Sequence, residues 1–383
     1  MMFELSGEHE TFRKVVRDFA EREIRPHVAG WDREHHLPIH VVHAMGELGL
    51  FGLIVPEQYG GSGADFISLC VAIEELGRVD QSIGVTLEAG VGLGINPILN
   101  YGTDEQKQRW LPDLVAGRTL AGFGLTEPDG GTDAGATKSR AALADGYWTI
   151  NGAKAFITNS GTPITSLVTV TARTADNEIS SIIVPSGTPG FIVEPAYDKL
   201  GWRISDTHGL TFDDCRVPEE NLLGERGAGL RQFLTVLDDG RIAISALAVG
   251  LAQGCLDVSL KYANERHSFD APIGSRQAVA FSLSDLAVSV EAARLLTYRA
   301  AWLKDAGRPA PQVKQAASMA KLYSTEAAVD ATRIATQVFG GNGFMEEFPV
   351  ARFYRDAKIL EIGEGTSEVQ RMLIARGLGL PVR

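Results

Sequence analysis

Residues 361–370 read EIGEGTSEVQ and place one carboxylate, Glu364, between two glycines. Gly363 and Gly365 remove side-chain bulk on either side of it and permit backbone angles that other residues rarely adopt. A second molecule can therefore approach Glu364 closely. A carboxylate held on such a turn could transfer a proton, so catalysis is one interpretation of this segment.

The same segment also has a purely structural interpretation. Ser367, followed by Gln370 three residues later, resembles a capping box, in which two side chains satisfy the first backbone N–H groups of a helix. An acidic residue just before a helix is also favoured by the helix dipole. Taken alone, the segment is more often a helix entrance than a catalytic site.

Two loops in the middle of the chain suit a planar or phosphate-bearing ligand. FGLTEPDGGTD, residues 123–133, could present N–H and O–H donors to a phosphate or a ring edge. An ordinary turn-forming loop explains this composition equally well. In AKAFITNSG, Phe156 and Thr158 alternate about Ile157, which suits a planar cofactor and equally suits a buried sandwich position.

Three segments nearer the C-terminus combine polar side chains with charged, aromatic or glycine neighbours. LDDGR sets Asp238 and Arg241 three residues apart near a helix start, where an ion pair is routine. RHSF, residues 266–269, and QVFGGNGF, residues 337–344, pair a polar side chain with an aromatic residue or a glycine turn. Each of these segments alone is more often structural.

Five histidines crowd the N-terminal region: His27, His35, His36, His40 and His43. His36 and His40 are four residues apart and could share a helix face, as metal ligands do. No acidic residue or cysteine is convincingly placed beside them, and Pro38 disrupts the spacing. We therefore expect a solvated surface segment and no metal site.

The overall composition is that of a globular protein. The chain has 383 residues, 44% of them hydrophobic, and a formal net charge of -12. This acidic balance argues against a protein that binds the nucleic-acid backbone. The sequence has no G-x-G-x-x-G after a strand, no Walker loop and no G-x-S-x-G elbow. Rossmann nicotinamide enzymes, P-loop NTPases and α/β-hydrolases are therefore disfavoured.

Cysteine usage and the N-terminus predict a cytoplasmic protein. Cys70, Cys215 and Cys255 are too far apart for a redox or zinc pair, so we expect reduced thiols. The start, MMFELSGEHE, is acidic and polar and does not resemble a signal or transit peptide. The most apolar run, residues 242–256, is too short to span a bilayer, and we expect no membrane contact.

The central part of the chain, residues 121–226, reads as an antiparallel β domain. Its short runs are rich in β-branched and aromatic residues and are bounded by turn residues. Trp148 and Ile150 alternate with polar residues before Asn151-Gly152, a dipeptide typical of a hairpin turn.

Helical periodicity flanks this β segment on both sides. Apolar residues recur at helical spacing in residues 1–120 and again in residues 227–383. Segregated runs of helices and strands favour an α+β protein or separate domains over alternating βαβ units. We therefore place domain boundaries near residues 120 and 226.

Taken together, the segments resemble one family. LTEPDGGTD, NGAKAFITN, DGR, FGGNGF and YRDAKILEIGEGTSEVQR occur in an order and at intervals similar to those of the acyl-CoA dehydrogenases. The similarity covers nearly the whole chain, and its last motif is highly specific. The chain looks closest to short-chain and branched-chain members, including many bacterial ones.

The resemblance implies an α+β multidomain fold with an N-terminal α-helical domain, a central antiparallel β domain and a C-terminal four-helix bundle. FAD would lie between the β domain and the bundle, and a neighbouring subunit of a homotetramer would complete its site. The substrate would be an acyl-CoA, and the electron acceptor an electron-transfer flavoprotein. The pathway would be fatty acid or branched-chain amino acid catabolism.

The resemblance also implies a reaction. Glu364 matches the general base, which removes the pro-R α-proton of the thioester while the β-hydrogen leaves as hydride to flavin N5, giving the trans-2-enoyl-CoA. Burial against the substrate would raise the pKa of Glu364 towards neutrality. The backbone N–H of the base and a flavin ribityl hydroxyl would stabilise the enolate charge on the thioester carbonyl.

Further site residues follow from the same resemblance. The flavin contacts in the β loops would be Phe123, Leu125, Thr126, Thr132, Phe156 and Thr158. The contacts across the subunit interface would be Arg266, Phe269, Gln277, Gln337, Gly340 and Gly341. Two further cofactor residues, Thr366 and Glu368, follow the base. The substrate residues would be Thr132, Asp238, Arg241, Gly363 and Gly365.

Some positions depart from the family pattern. Phe156 replaces a common tryptophan beside the flavin, Phe123 a common tyrosine and Thr132 a common serine. Isovaleryl-type members take their base from the position matching Gly240, which cannot serve here.

Gly363 stands where straight-chain members usually carry tyrosine. The missing ring would open space near Cα and Cβ of the substrate, so we expect a short or branched acyl group such as isobutyryl, 2-methylbutyryl or butyryl. A larger residue elsewhere in the pocket could equally compensate for this glycine.

Two alternatives remain open from the sequence. The same chemistry could act on an acyl carrier protein thioester, or electrons could pass to oxygen as in an acyl-CoA oxidase. In a different class of function, the chain would be a catalytically silent flavoprotein subunit. Glu364, Arg241, Thr126 and Gln337 are all present, which argues against a silent subunit.

Overall fold

The N-terminal third of the computed structural model, which describes residues 5–382, is helical. Its helices are α1 (Gly7–Phe19), α2 (Val28–Glu34), α3 (Ile39–Glu47), α4 (Phe66–Gly77), α5 (Gln81–Ala89), α6 (Asn96–Tyr101) and α7 (Asp104–Val115). Side-chain caps define several helix starts: Asp80 accepts from the N–H of Ile83 at the start of α5, and Thr103 and Gln106 form a capping box at α7. Every residue of α5 is buried, so its side chains face the interior on all sides.

The middle of the chain forms one eight-stranded sheet. Its strands are β1 (Leu120–Gly124), β2 (Arg140–Ala144), β3 (Tyr147–Thr158), β4 (Thr165–Ala175), β5 (Glu178–Pro185), β6 (Phe191–Ala196), β7 (Thr207–Pro218) and β8 (Leu222–Leu223). The strand order is β6-β7-β3-β2-β4-β5-β8, and β1 pairs with β4. Most pairs are antiparallel, as predicted, but β1 and β2 each pair with β4 in parallel. Strands that are not joined by a hairpin are free to run in parallel.

The predicted hairpin turn at Asn151-Gly152 was wrong, because both residues lie inside β3. The β2–β3 turn is formed by Asp145 and Gly146, whose φ angles of 53° and 76° are those of a two-residue turn with two left-handed residues. Gly152 lies instead at a register shift, with φ of 146°. A Cβ there would lie 2.5 Å from Oγ of Ser139, so this glycine permits a close approach within the sheet.

The C-terminal part is again helical. A short antiparallel hairpin of β9 (His267–Ser268) and β10 (Ala271–Pro272) lies in the connection between its first two helices. They are α8 (Gly229–Glu265), α9 (Gln277–Asp305), α10 (Ala310–Phe339), α11 (Pro349–Ala357) and α12 (Ser367–Gly377). The three long helices pack on one another, and α12 packs against α10. The predicted class, with helical, β and helical parts in that order, is confirmed.

One apolar core joins the two helical parts, and a second lies inside the sheet. Glycines allow α8 to approach the N-terminal helices closely: a Cβ at Gly250 would lie 2.3 Å from the carbonyl oxygen of Glu74. A small cluster that includes Phe123 and Phe233 connects β1 to α8. This packing brings α5, α8 and the sheet to a common centre. The domain boundaries near residues 120 and 226 stay predictions.

Two helical stretches, Gln81–Tyr101 and Gly229–Glu265, are long and apolar enough to cross a membrane. The shortness of residues 242–256 is therefore no argument against a span, since this run continues within the 37-residue α8. However, 89% and 83% of the apolar windows of the two stretches are buried inside the fold. Both are core helices, and a cytoplasmic location stays a prediction.

Candidate active site

Glu364 lies on a tight turn between α11 and α12 whose backbone is held from the following helix. Its φ is 53°, in the left-handed region that non-glycine residues rarely occupy, and Gly365 follows with φ of 93°. Nε2 of Gln370 donates to the carbonyl oxygens of Gly365 at 2.9 Å and of Glu364 at 3.4 Å. Strained backbone of this kind persists only where its surroundings fix it, and it is common at active sites.

The start of α12 differs by one residue from the predicted capping box. Thr366, not Ser367, is the N-cap, and its Oγ1 accepts from the N–H of Val369 at 3.3 Å. Ser367 is the first helical residue and is buried. Glu368 is exposed in the first turn of the helix, where the dipole favours an acid.

A lysine from α10 also contacts this turn. Lys321 is fully buried, and its Nζ donates to the carbonyl oxygens of Leu360 at 2.7 Å and Gly365 at 2.9 Å. Burial lowers the pKa of Lys321 to about 8, and the nearby Glu364 opposes this shift. The turn that carries Glu364 is therefore held on both sides by side-chain donors.

The carboxyl group of Glu364 points at α8. Its Oε2 is buried without a hydrogen-bond donor among residues 5–382. A Cβ at Gly240 would lie only 2.3 Å from this oxygen. Since only glycine leaves this space free, Gly240 and Glu364 face the same point of the site.

A second carboxyl group meets the first. Glu88, on α5, is 1% exposed, and its carboxyl group lies beside that of Glu364, where a hydrogen bond between the two can form. Two ionised carboxylates have no hydrogen to share, so this bond requires one proton. Burial and the charge of Glu364 raise the pKa of Glu88 well above its usual range, which favours the protonated form of Glu88.

The pKa of Glu364 is raised as well, chiefly by burial. The hydrogen bond from Glu88 and the positive charges of Lys321 and Arg241 oppose this shift. A carboxylate with a raised pKa is suited to accepting a proton, and the pKa of Glu364 is shifted in that direction. Sequence reasoning identified Glu364 and Arg241 but missed Glu88 and Lys321.

Asp238 and Arg241 form the predicted ion pair on α8. Arg241 is 5% exposed, and its Nε has no hydrogen-bond partner within the described chain. Lys314 of α10 lies 3.5 Å from the other carboxylate oxygen of Asp238. The guanidinium group of Arg241 is therefore buried and incompletely paired. Its positive charge lies close enough to Glu364 to lower the pKa of that carboxyl group.

The β-domain residues proposed for the cofactor lie on two adjoining segments. The ring of Phe123 stacks on Phe233 of α8 at 3.9 Å. The N–H of Ala155 donates to the carbonyl oxygen of Thr126 at 2.9 Å, which joins the first segment to the second. Leu125 is buried, Thr158 is half-buried and Thr132 is exposed.

Phe156 is the unusual member of this set. Its side chain is 65% exposed although its φ is 62°, and its ring lies 5.2 Å from that of Tyr197. A ring this exposed buries little apolar surface against the chain, so its packing does little to offset the strained backbone. It therefore offers a surface to a planar ligand.

The remaining predicted cofactor residues gather at one end of the bundle. Arg266 and Phe269 belong to the β9–β10 hairpin, Gln277 begins α9, and Gln337, Gly340 and Gly341 end α10. The α8 and α10 ends are joined by Tyr262, whose ring stacks on that of Phe339 at 4.0 Å.

This second set is open to solvent. The side chain of Phe269 is 88% exposed with φ of 52°, and both Gly340 and Gly341 have free space where a Cβ would be. Within residues 5–382, no hydrogen bond joins this set to the β-domain set. The two sets therefore lie on different elements of the described chain, without a hydrogen bond between them.

A cavity of about 860 Å³ lies away from Glu364, between α1, α4, α8 and α9. Its charged side chains largely neutralise one another: Arg17 pairs with the buried Glu75 at 2.8 Å and Arg294 with Glu74 at 3.0 Å. None of the residues that line this cavity has a left-handed φ, whereas Glu364 has both a left-handed φ and a carboxylate oxygen without a donor among the residues described. We therefore assign the candidate site to Glu364.

Three family models match the chain in succession. They are acyl-CoA dehydrogenase, N-terminal domain, over residues 6–118; middle domain, over residues 122–215; and C-terminal domain, over residues 227–379. Together they cover both helical parts and the sheet.

Similar proteins span almost the whole chain. The probable acyl-CoA dehydrogenase YngJ of Bacillus subtilis is 48% identical over 99% of this chain and 100% of its own length. The mitochondrial short-chain specific acyl-CoA dehydrogenase of Rattus norvegicus is 44% identical over 97% of this chain and 90% of its own length.

Solved structures show the same architecture. The butyryl-CoA dehydrogenase of Megasphaera elsdenii is 39% identical with a TM-score of 0.95, and the match covers 99% of this chain and 100% of that one. A chain in a structure of the electron transferring flavoprotein of Acidaminococcus fermentans is 40% identical with a TM-score of 0.96, and the match covers 99% of both chains.

Proposed function

The chain belongs to the acyl-CoA dehydrogenase family, and from this premise we propose that it oxidises a short or branched acyl-CoA to the trans-2-enoyl-CoA with Glu364 as general base. As a member of that family it is an FAD-dependent oxidoreductase that acts on CH–CH groups. The observation that carries the assignment of the base is the buried Oε2 of Glu364, which lacks a donor and faces the gap at Gly240.

Glu364 is suited to the proton-transfer half of the reaction. The α-proton of a thioester is weakly acidic, and a carboxylate with a raised pKa is a better match for it than an ordinary one. The positive charges of Lys321 and Arg241 oppose the effect of burial and favour the carboxylate form of Glu364. After transfer, the proton resides on a carboxyl of Glu364.

The backbone of the same residue could stabilise the developing charge. Among residues 5–382, the N–H of Glu364 donates no hydrogen bond to the protein. This N–H is therefore available to the thioester carbonyl oxygen, where enolate charge develops as the α-proton leaves. A donor already fixed by the turn costs little reorganisation.

The residues present fit FAD. Exposed aromatic rings at Phe156 and Phe269 and open backbone at Gly340 and Gly341 offer surfaces to a planar group and a pyrophosphate. We propose that these residues hold the cofactor together with Phe123, Leu125, Thr126, Thr132, Thr158, Arg266, Gln277, Gln337, Thr366 and Glu368. Bound FAD would accept the β-hydrogen of the substrate as hydride.

We further propose that Gly363 adapts the site to short or branched acyl groups. A Cβ at Gly363 would find only the carbonyl oxygen of Ile359, at 3.5 Å. The position therefore has room for a side chain, and its absence leaves space beside the base. The short-chain specific relatives and the butyryl-CoA dehydrogenase structure support this acyl class.

The cofactor set split between two regions supports a homo-oligomer, and we propose the homotetramer. Phe281, Val288 and Leu295 recur every seven residues along α9 and are 60%, 69% and 43% exposed. An exposed apolar stripe of this kind is typical of a protein interface. The related chain in the Acidaminococcus structure supports an electron-transfer flavoprotein as the electron acceptor.

An anaerobic titration of the purified protein with acyl-CoA thioesters tests this proposal. The panel comprises butyryl, isobutyryl, 2-methylbutyryl and longer straight-chain CoA esters, and flavin absorbance is followed. We expect stoichiometric bleaching by a short or branched ester. If none of the CoA esters bleaches the flavin, the acyl-CoA assignment is wrong, and acyl carrier protein thioesters are the next panel.

Two further measurements separate the alternatives. Fast reoxidation of the reduced flavin in air would identify an oxidase, whereas slow reoxidation agrees with a flavoprotein acceptor. Fresh protein without bound flavin would favour a catalytically silent subunit.

A further inference from the structure

Lys321 is a buried cation that the proposed reaction does not itself require. It is fully enclosed in α10, next to the turn that carries Glu364. A buried ammonium group is unfavourable unless its hydrogens are bonded. Nζ of Lys321 meets this need with two backbone carbonyls, those of Leu360 at 2.7 Å and Gly365 at 2.9 Å.

These two acceptors lie on opposite sides of Glu364 in the sequence. A single ammonium group therefore closes the segment 360–365 into a loop with Glu364 inside it. Because Glu364 has φ of 53°, the turn is strained and needs external contacts to persist. Gln370 contacts the same turn from α12, with Nε2 at 2.9 Å from the carbonyl oxygen of Gly365 and 3.4 Å from that of Glu364. Of the two side chains, only Lys321 also reaches Leu360.

We propose that Lys321 is the positioning residue of the general base: it fixes the turn on which Glu364 is presented and stabilises the carboxylate form of Glu364 before proton transfer. This inference rests on the proposed role of Glu364. Both effects come from one group, since the hydrogen bonds set the geometry of the turn and the positive charge acts on the carboxylate.

Three groups from three elements bear on the charge of Glu364. The carboxyl group of Glu88 of α5 lies beside that of Glu364, while Arg241 of α8 and Lys321 of α10 contribute positive charge. Arg241 is committed to Asp238 through an ion pair. Lys321 has no carboxylate partner among the residues described, and its bonds go to backbone carbonyls. The positive charge of Lys321 is therefore less neutralised than that of Arg241.

The test compares Lys321→Met, Lys321→Arg and Arg371→Gln. Lys321→Met keeps the length of the side chain but removes the charge and the donors, and Lys321→Arg keeps the charge but changes the shape. Arg371 is the matched control, because its exposed ion pair with Glu326 at 2.6 Å also joins α12 to α10. Flavin content, kcat, KM and the pH dependence of kcat/KM are measured for each variant.

For Lys321→Met we expect kcat to fall roughly 10- to 100-fold with little change in KM, as for a displaced catalytic group. The acidic limb of the pH profile should move to higher pH, because loss of the charge raises the pKa of Glu364. Lys321→Arg should keep the acidic limb of the wild type with a reduced kcat. Arg371→Gln should change neither kcat nor the acidic limb of the pH profile.

Two results would overturn the inference. One is a Lys321→Met enzyme with the wild-type kcat and acidic limb. The other, decisive if Lys321→Met fails to fold, is a Lys321→Arg enzyme with wild-type kcat, or one whose acidic limb moves although the charge is kept. Amide exchange of residues 361–366 should be faster in Lys321→Met than in the control.

Failure of the proposed function itself looks different. If Glu364→Gln, measured in parallel, retains the wild-type rate, then Glu364 is not the base, whatever Lys321 does. If no acyl thioester reduces the flavin of the unaltered protein, the reaction class is wrong and none of these rates can be assigned to it.

Discussion

Glu88 and Glu364 bring their carboxyl groups together between α5 and the turn before α12. The two residues come from opposite ends of the chain and from different helical parts of the fold. A hydrogen bond between the two carboxyl groups requires one proton, and a proton on Glu88 leaves Glu364 free to act as a carboxylate. Oε2 of Glu364 has no donor among residues 5–382, so an acyl thioester that enters the site meets a free carboxylate oxygen.

Replacing Glu364 by glutamine should abolish turnover while the protein stays folded. Glutamine keeps the shape of the side chain but cannot accept the α-proton, so we expect kcat to fall by at least about 100-fold. Flavin absorbance of the purified variant checks that the cofactor is retained. Glu326→Gln, a change at a half-buried residue of α10 that pairs with Arg371, serves as the control and should match the wild type. A Glu364→Gln rate within a few-fold of wild type would exclude Glu364 as the base.

Two substitutions at Glu88 should show whether Glu364 responds to a hydrogen bond from this side chain or to its volume. Glu88→Gln keeps a donor for Glu364, whereas Glu88→Leu removes it at similar volume. The pKa of Glu364 is raised by burial and lowered by the bond from Glu88, so loss of this bond raises it further. Activity requires the carboxylate and rises with pH through that pKa. The acidic limb of kcat/KM should therefore move to higher pH in Glu88→Leu.

The same limb should move less in Glu88→Gln, because the amide still donates. Profiles measured from acid to neutral pH for both variants and the wild type check this order. Equal shifts in the two variants would contradict a role for the hydrogen bond.

Gly240→Ala should reduce activity without reducing stability. Alanine in place of glycine inside a helix is favourable by about 1 kcal/mol, but its Cβ would lie 2.3 Å from Oε2 of Glu364. The carboxyl group must move aside, and we expect kcat to fall roughly 10- to 100-fold. Thermal unfolding measures whether stability is kept, and steady-state kinetics measures whether kcat falls. Unchanged kinetics would show that Glu364 does not occupy this position during turnover.

Gly363→Tyr should change acyl preference. The position has room for a Cβ and no left-handed φ, so the backbone tolerates a side chain. A ring there would fill space beside the base, and we expect kcat/KM for branched thioesters to fall relative to straight ones by roughly tenfold. The ratio for isobutyryl-CoA and butyryl-CoA is the measurement. A ratio equal to that of the wild type would show that another residue sets the acyl preference.

The sequence predicted the order of helices and strands and the turn around Glu364, because both depend on local patterns. Hydrophobic periodicity distinguishes helix from strand over a few turns, and the glycines beside Glu364 adjoin it in sequence. The Asn151-Gly152 prediction failed because a dipeptide suited to a turn also suits a register shift inside β3. Local sequence does not distinguish these two uses of glycine.

Glu88 and Lys321 could not be assigned in the same way, since their roles depend on contacts between distant segments. One signal was present for Glu88: it is the only charged residue between Asp80 and Asp104. A lone carboxyl group in a buried helix needs a partner. Lys321 gave no such signal, because a lysine in an alanine-rich helix is ordinarily exposed.

The distance along the chain between Glu88 and Glu364 has a consequence for how the protein is made. During synthesis α5 is formed long before the segment that supplies the base, so residues 89–363 must emerge from the ribosome before the carboxyl pair can exist. Until then Glu88 lacks its carboxyl partner, and the apolar residues around it stay exposed to water. The base and its carboxyl partner can therefore meet only after most of the chain has been made.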